Sequence, residues 1–146
     1  PRLAAWFGDA DARYTYSGLS LDPLPWTDLL SIIRSHVESL ADAPFNSVLL
    51  NYYRDHRDGM GMHSDDEPEL GKNPIIASVS LGAQRTLVLK HKIRKELKPI
   101  HVPLDHGSLL LMKGATQHHW KHGVNKINRP CGPRVNLTFR RILSMS

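Results

Sequence analysis

The stretch Arg134-Val135-Asn136-Leu137-Thr138-Phe139-Arg140 alternates without a break between polar and apolar side chains. On extended backbone successive side chains point to opposite faces. Val135, Leu137 and Phe139 therefore share one face, and Arg134, Asn136, Thr138 and Arg140 share the other. The apolar face belongs against a core. The opposite face carries a guanidinium fork at each end and could hold a dicarboxylate through charge-assisted hydrogen bonds. A solvent-facing strand has much the same composition, so this stretch settles the strand before it settles a function.

Working outward, further strand-like runs fall at 47–53, 75–81, 86–90, 100–104 and 108–112, and the last strand reads as continuing to 142. Each is bounded by Gly, Pro, Asn or Asp turn signals. Residues 14–22 read as irregular or strand-like. One helix is predicted over 26–40, where Trp26, Leu29, Leu30, Ile33, Val37 and Leu40 recur at three- and four-residue steps. Many short strands with one helix near the N-terminus predict a mainly β (α+β) fold, a β-sandwich or jelly roll with a supporting helix. There are no repeats or linkers, so residues 1–146 read as a single domain.

The chain has 146 residues, a formal charge of +5 and a pI of about 9.6. A basic balance favours polyanionic partners, because lysine and arginine displace counterions from phosphates. The single cysteine, Cys131, excludes an internal disulfide and fits a reducing compartment; an intracellular location is expected, cytoplasmic in a bacterium or nuclear in a eukaryote. No apolar run approaches the roughly 20 residues that a membrane-spanning helix needs, so no membrane partner is expected. Nine histidines is a high count for this length, and His118, His119 and His122 lie close together. Histidine is the commonest metal ligand, so that enrichment needs an account.

His63-Ser64-Asp65 offers one. Residues two apart on extended backbone point the same way, so an imidazole and a carboxylate can reach one ion from a single strand end. The 118–122 cluster can supply a second histidine. Two histidines and one carboxylate on one face leave the other positions of an iron(II) ion open for a co-substrate and oxygen. Zinc is the rival metal, but neither His-Glu-x-x-His nor Cys-x-x-Cys occurs. On a third strand, Asn51 and Tyr53 share a face, and both can donate hydrogen bonds to a carboxylate.

These pieces together resemble the AlkB family of nucleic-acid dealkylases, in particular the branch of the human-type second and third homologues. The matching segments are Asn51-Tyr52-Tyr53-Arg54, His63-Ser64-Asp65-Asp66-Glu67, Pro74-Ile75-Ile76-Ala77-Ser78-Val79-Ser80-Leu81-Gly82, Pro103-Leu104-Asp105-His106-Gly107-Ser108-Leu109 and the strand 134–140. They run in family order over nearly the whole chain. The resemblance implies a double-stranded β-helix, with 1–22 as the remnant of a nucleotide-recognition lid and 23–146 as helix plus jelly-roll core. It implies Fe(II) as cofactor, with 2-oxoglutarate and O2 as co-substrates. Metal ligands fall on His63, Asp65 and His122, the last chosen because it follows Trp120 at the family's offset. Contacts to 2-oxoglutarate fall on Asn51, Tyr53, Arg134, Asn136, Thr138 and Arg140.

The implied reaction couples oxidative decarboxylation of 2-oxoglutarate to hydroxylation of an alkyl group on a base, which then leaves as an aldehyde. The target atom lies on a pairing edge, so the nucleotide must leave the stack. Base contacts fall on Tyr14, Tyr16, Ser17, Asp66 and Glu67. Arg2, Lys90, Lys92, Arg94 and Lys95 are candidates for the nucleic-acid backbone, the last four in a basic hairpin loop. DNA is the expected partner, RNA is left open, and a monomer is expected. The family's strand-separating hairpin would precede Pro1, so the chain is expected to be truncated there. Two other readings are a non-catalytic nucleic-acid binder on the same fold and a dioxygenase acting on protein or lipid. The intact ligands and both arginines oppose the first; basic charge and the lid tyrosines oppose the second.

Overall fold

The computed structural model describes residues 2–16 and 19–143, and of Tyr16 and Leu19 the backbone alone. Ser17, an expected base contact, lies outside the described residues, as does the side chain of Tyr16. The strands are β1 (Leu3–Gly8), β2 (Tyr14–Tyr16), β3 (Leu19–Leu21), β4 (Ser47–Tyr53), β5 (Met60–His63), β6 (Ile76–Gly82), β7 (Arg85–His91), β8 (Ile100–Leu104), β9 (Ser108–Met112), β10 (Trp120–Val124) and β11 (Arg134–Arg140). Helix α1 (Asp28–Ala41) precedes β4, and a single helical turn, α2 (Thr116–His119), precedes β10. A five-stranded sheet in the order β1-β4-β11-β6-β9 faces a four-stranded sheet in the order β5-β10-β7-β8, and β2 and β3 form a separate hairpin. Among the described residues, pairing within all three sheets is antiparallel. The predicted jelly roll with its supporting helix is the observed architecture.

The alternating strand β11 lies at the middle of the larger sheet, between β4 and β6. Both of its faces are buried, so it is not a solvent-facing strand. Leu137 and Phe139 turn outward onto α1, where Leu30, Val37, Ala41 and Phe45 join them in one apolar cluster. Arg134, Asn136, Thr138 and Arg140 turn inward, between the sheets. The predicted end at 142 is too late. Past Arg140 the backbone of Ile142 exchanges hydrogen bonds with the Asn46 carboxamide in place of a sheet partner.

The helix starts two residues later than predicted because Thr27 caps it, its hydroxyl accepting from the Leu30 amide at 3.1 Å. Its buried stripe is also narrower than expected. Leu29 and Leu40 are 67% and 70% exposed, whereas Leu30, Val37 and Ala41 are buried. Between the sheets, Tyr53, Ile76, Leu87, Leu104, Met112 and Val124 form a second apolar cluster, and all of these but Ile76 line the cavity that holds the site. A third cluster, with Trp6, Tyr14, Leu49, Leu70 and Ile142, underlies the β2–β3 hairpin.

Candidate metal centre and dicarboxylate pocket

Three chain segments meet between the sheets. β5 and β10 are antiparallel, with His63 directly opposite His122. Their imidazole centroids lie 4.4 Å apart. This approach depends on Gly123, since a Cβ there would come within 2.8 Å of the Met60 carbonyl oxygen and of the Met62 sulfur. Asp65 follows the end of β5, fully buried, with its carboxylate 3.6 Å from Nε2 of His63. One ligand atom from each of His63, Asp65 and His122 lies within 4.8 Å of the others. The expected choice among the clustered histidines agrees with this placement: His118 and His119 sit exposed on α2.

The protonation states suit metal binding. Nδ1 of His63 lies 3.0 Å from the Gly61 carbonyl, to which it can donate, so Nε2 is the nitrogen turned toward Asp65. Burial, reinforced by the neighbouring His63, pushes the His122 imidazole down to about 4, so it is neutral at pH 7. For Asp65, burial alone would push the carboxyl up. The Arg140 guanidinium and the two imidazoles more than offset this and hold it below its ordinary range. Nη2 of Arg140 donates to both Asp65 oxygens at 3.2 Å.

The inward face of β11 lines the same cavity as the triad. Register explains the arrangement: Arg134 lies opposite Tyr53, and Asn136 lies opposite Asn51 on one side and Ser80 on the other. Nη2 of Arg134 donates to Ser80 Oγ at 2.9 Å, and its guanidinium stands 4.9 Å from the centre of the Tyr53 ring. Nδ2 of Asn136 donates to Ser78 Oγ at 2.7 Å, and Thr138 Oγ1 donates to Asn136 Oδ1 at 2.6 Å. Nε and Nη1 of both Arg134 and Arg140 are buried with no hydrogen-bond partner among the described residues. An unmet buried donor costs about 1–3 kcal/mol. Four such donors on two cations fit an incoming dicarboxylate, and two imidazoles with a carboxylate fit a ferrous ion.

Other expected site residues stand differently. Tyr14 has no exposed surface. It stacks on Trp6 at 5.2 Å, and its hydroxyl hydrogen-bonds the Glu67 carboxylate. As placed, it is a packing residue of the β2–β3 hairpin, because its ring completes the Trp6–Leu49–Ile142 cluster. Glu67 is half-buried, and burial raises its pKa. Asp66 is exposed, 3.8 Å from the Lys92 ammonium.

Arg2, expected on the nucleic-acid backbone, turns into the cavity instead, and its Nε donates to Asn51 Oδ1 at 2.9 Å. Lys92 is half-buried and donates to the Gln117 carbonyl at 2.8 Å, so packing has taken up its charge. Arg94 is exposed but ion-paired with Glu96 at 2.9 Å, while Lys90 and Lys95 are exposed. Reading the sequence missed Ser78, Ser80 and Gln117. Alternation in Ala77-Ser78-Val79-Ser80 marks the two serines as facing inward with Ile76; no local pattern marks Gln117.

Comparison with known proteins places this geometry. Residues 2–140 match the model of the 2OG-Fe(II) oxygenase superfamily. The chain belongs to that family. This oxygenase is 45% identical over 150 residues to the alpha-ketoglutarate-dependent dioxygenase alkB homolog 3 of Mus musculus, covering 97% of this chain and 52% of the relative. It is 46% identical over 149 residues to the DNA oxidative demethylase ALKBH2 of Homo sapiens, covering 98% and 57%. The oxygenase chain thus spans about half the length of the curated relatives it matches. The solved structure of OsALKBH1 has the same fold, with a TM-score of 0.70 at 18% identity over 97% of this chain and 79% of that one.

Proposed function

We propose that this oxygenase domain oxidatively removes alkyl groups from nucleic-acid bases, DNA first, acting as a monomeric single domain inside the cell. One observation carries the reading: His63, Asp65 and His122 share a buried cavity with two guanidinium groups whose Nε and Nη1 lack partners among the described residues. The similarity to an enzyme named as a DNA oxidative demethylase supports the choice of substrate. No described helix is long and apolar enough to cross a membrane.

In this reading His63, Asp65 and His122 hold Fe(II), which supplies the oxidising chemistry when bound with 2-oxoglutarate and O2. Arg134 clamps the far carboxylate of 2-oxoglutarate, braced by Ser80 and Tyr53. Arg140 keeps the Asp65 carboxylate ionised and oriented. Asn136 and Thr138 fix the floor of the pocket through Ser78. Burial of these groups excludes water and strengthens their electrostatics. Glu67 faces the lid, where a carboxyl could meet a base edge. Exposed Lys90 and Lys121 are cross-strand neighbours and, with Lys95, present positive charge to phosphates.

The test is release of succinate and formaldehyde from methylated single- and double-stranded oligonucleotides, DNA and RNA, with and without iron. Turnover that needs iron, 2-oxoglutarate and the methyl mark is expected. Tight oligonucleotide binding with no turnover in any of these would point to a binding module and overturn the proposal.

A further inference from the structure

The carboxylate ligand sits outside the sheet that carries its partner. β5 ends at His63, so no strand ladder fixes the backbone at Asp65. Yet Asp65 is fully buried, and its amide must find an acceptor. That acceptor is Oε1 of Gln117, 2.8 Å away and 52 residues along the chain. Gln117 is itself 2% exposed and belongs to α2, the turn that leads directly into β10 and His122. Its Nε2 meets only the weak acceptor Sδ of Met112, at 3.7 Å, which leaves the carboxamide oxygen for Asp65.

Two neighbours brace the link. The Lys92 ammonium donates to the Gln117 carbonyl at 2.8 Å and lies 3.8 Å from Asp66. Ser64 Oγ donates to the Trp120 carbonyl at 2.7 Å. Ser64 and Asp65 are thereby tied directly to the segment that delivers His122, and Asp66 reaches it only through Lys92. An opposing pull exists, because Arg140 already holds both Asp65 oxygens. A backbone left free at Asp65 could follow the guanidinium and turn the carboxylate from the imidazoles.

We propose that Gln117, strutted by Lys92, is a positioning residue for the metal centre: its carboxamide fixes the backbone of Asp65 so that the carboxylate faces His63 and His122. The inference rests on the reading of those three side chains as metal ligands. Gln117 touches neither metal nor substrate and acts through Asp65. Partners of this kind orient metal ligands, and their loss typically costs about 10–100-fold in affinity.

The test is calorimetric titration of Mn(II) into protein stripped by chelator, with thermal melting of the same metal-free samples. Gln117→Met keeps the volume and removes the acceptor; it is expected to weaken Mn(II) binding about 10–100-fold. Gln117→Glu restores an acceptor and is expected to bind at least as tightly as the wild type. Lys92→Met, which leaves the carboxamide in place, is expected to lose about threefold, the worth of a weak hydrogen bond. A Gln117→Met protein that melts earlier but binds Mn(II) as the wild type does would make Gln117 a fold residue and overturn the proposal. If Gln117→Met does not fold, unchanged Mn(II) binding by Lys92→Met overturns it. A wild type that binds no Mn(II), or that binds equally after His63→Ala, would instead sink the triad itself.

Discussion

Replacing Arg134 by methionine should separate ligand affinity from stability in opposite senses. In the unliganded protein the guanidinium is 2% exposed. It gains one neutral-acceptor hydrogen bond, to Ser80 Oγ at 2.9 Å, and a stacking contact with Tyr53 at 4.9 Å. These are worth about 1 kcal/mol and about 1–2 kcal/mol respectively. Against them stand Nε and Nη1, both buried without partners, at about 1–3 kcal/mol each. Burial also lowers the Arg134 pKa, a direct sign that the cation is held at a cost. Methionine matches the length and removes all four terms, so metal-free, unliganded stability should stay level or rise by about 1–2 kcal/mol. With 2-oxoglutarate bound, the two vacant donors would each make a charge-assisted bond of about 1.5–3 kcal/mol. Their loss should weaken 2-oxoglutarate binding by at least about 3 kcal/mol, or two orders of magnitude. The assay is anaerobic titration of 2-oxoglutarate into Mn(II)-loaded protein, paired with urea melts of the unliganded form. An unchanged titration, with a fall in stability of several kcal/mol, would refute the reasoning.

Asp65→Ala should abolish turnover, and urea melts should also show a loss of about 3–5 kcal/mol, because it strands the buried Arg140 cation; full activity in this variant would remove Asp65 from the ligand set. Gly123→Ala should push β5 from β10 through the 2.8 Å clash with the Met60 carbonyl, costing about 1–3 kcal/mol and weakening Mn(II) binding; an unchanged melting curve would contradict the close approach. Hydrogen bonds from Arg54 hold the Asp58 carboxyl well below its ordinary value of 3.8, so its contribution is present above that value and fades as pH falls through the lower folded one. Arg54→Met should therefore be less stable than the wild type at pH 7, and the gap should narrow in urea melts as pH falls from 3.8 toward about 2; a constant gap would contradict the linkage.

What was legible in the sequence follows from how local each signal is. The dicarboxylate face of β11 could be read because strand alternation is a two-residue pattern and all four polar side chains obey it. His63 ends a strand as read, but Asp65 lies just past it and is held by Gln117 rather than by alternation. The strands that went unread, β1, β5 and β10, are short and include Leu3-Ala4-Ala5, Gly61 and Gly123, which offer little β propensity. Their pairing comes from tertiary approach, and Gly123 is there for that approach rather than for strand formation. Leu29 and Leu40 fitted the helical period, but they lie on the flank of the face centred on Leu30, Val37 and Ala41 that packs on the sheet. Lys92 and Arg2 read as surface cations because composition cannot show that a carbonyl or a carboxamide waits inside for each.

The charge balance of the cavity leads to one more consequence. Its titratable lining comprises Arg2, Arg134, Arg140, Asp65, Tyr53 and two histidines. Three guanidinium cations thus face one carboxylate, with the His122 imidazole neutral. A divalent cation entering alone must therefore approach a site already in positive excess. A dicarboxylate entering first cancels that excess and adds oxygens that the ion can use. Metal and 2-oxoglutarate should consequently favour each other's binding, and linkage makes the factor the same in both directions. A coupling of about 5–150-fold is the usual range for such an effect. Titrating Mn(II) with and without saturating 2-oxoglutarate, and 2-oxoglutarate with and without saturating Mn(II), measures it twice. Arg134→Met should shrink the factor, because it removes one of the cations that oppose the ion. Independent binding of the two ligands in the wild type would mean that Arg2 and Arg140 are already neutralised by groups outside this cavity.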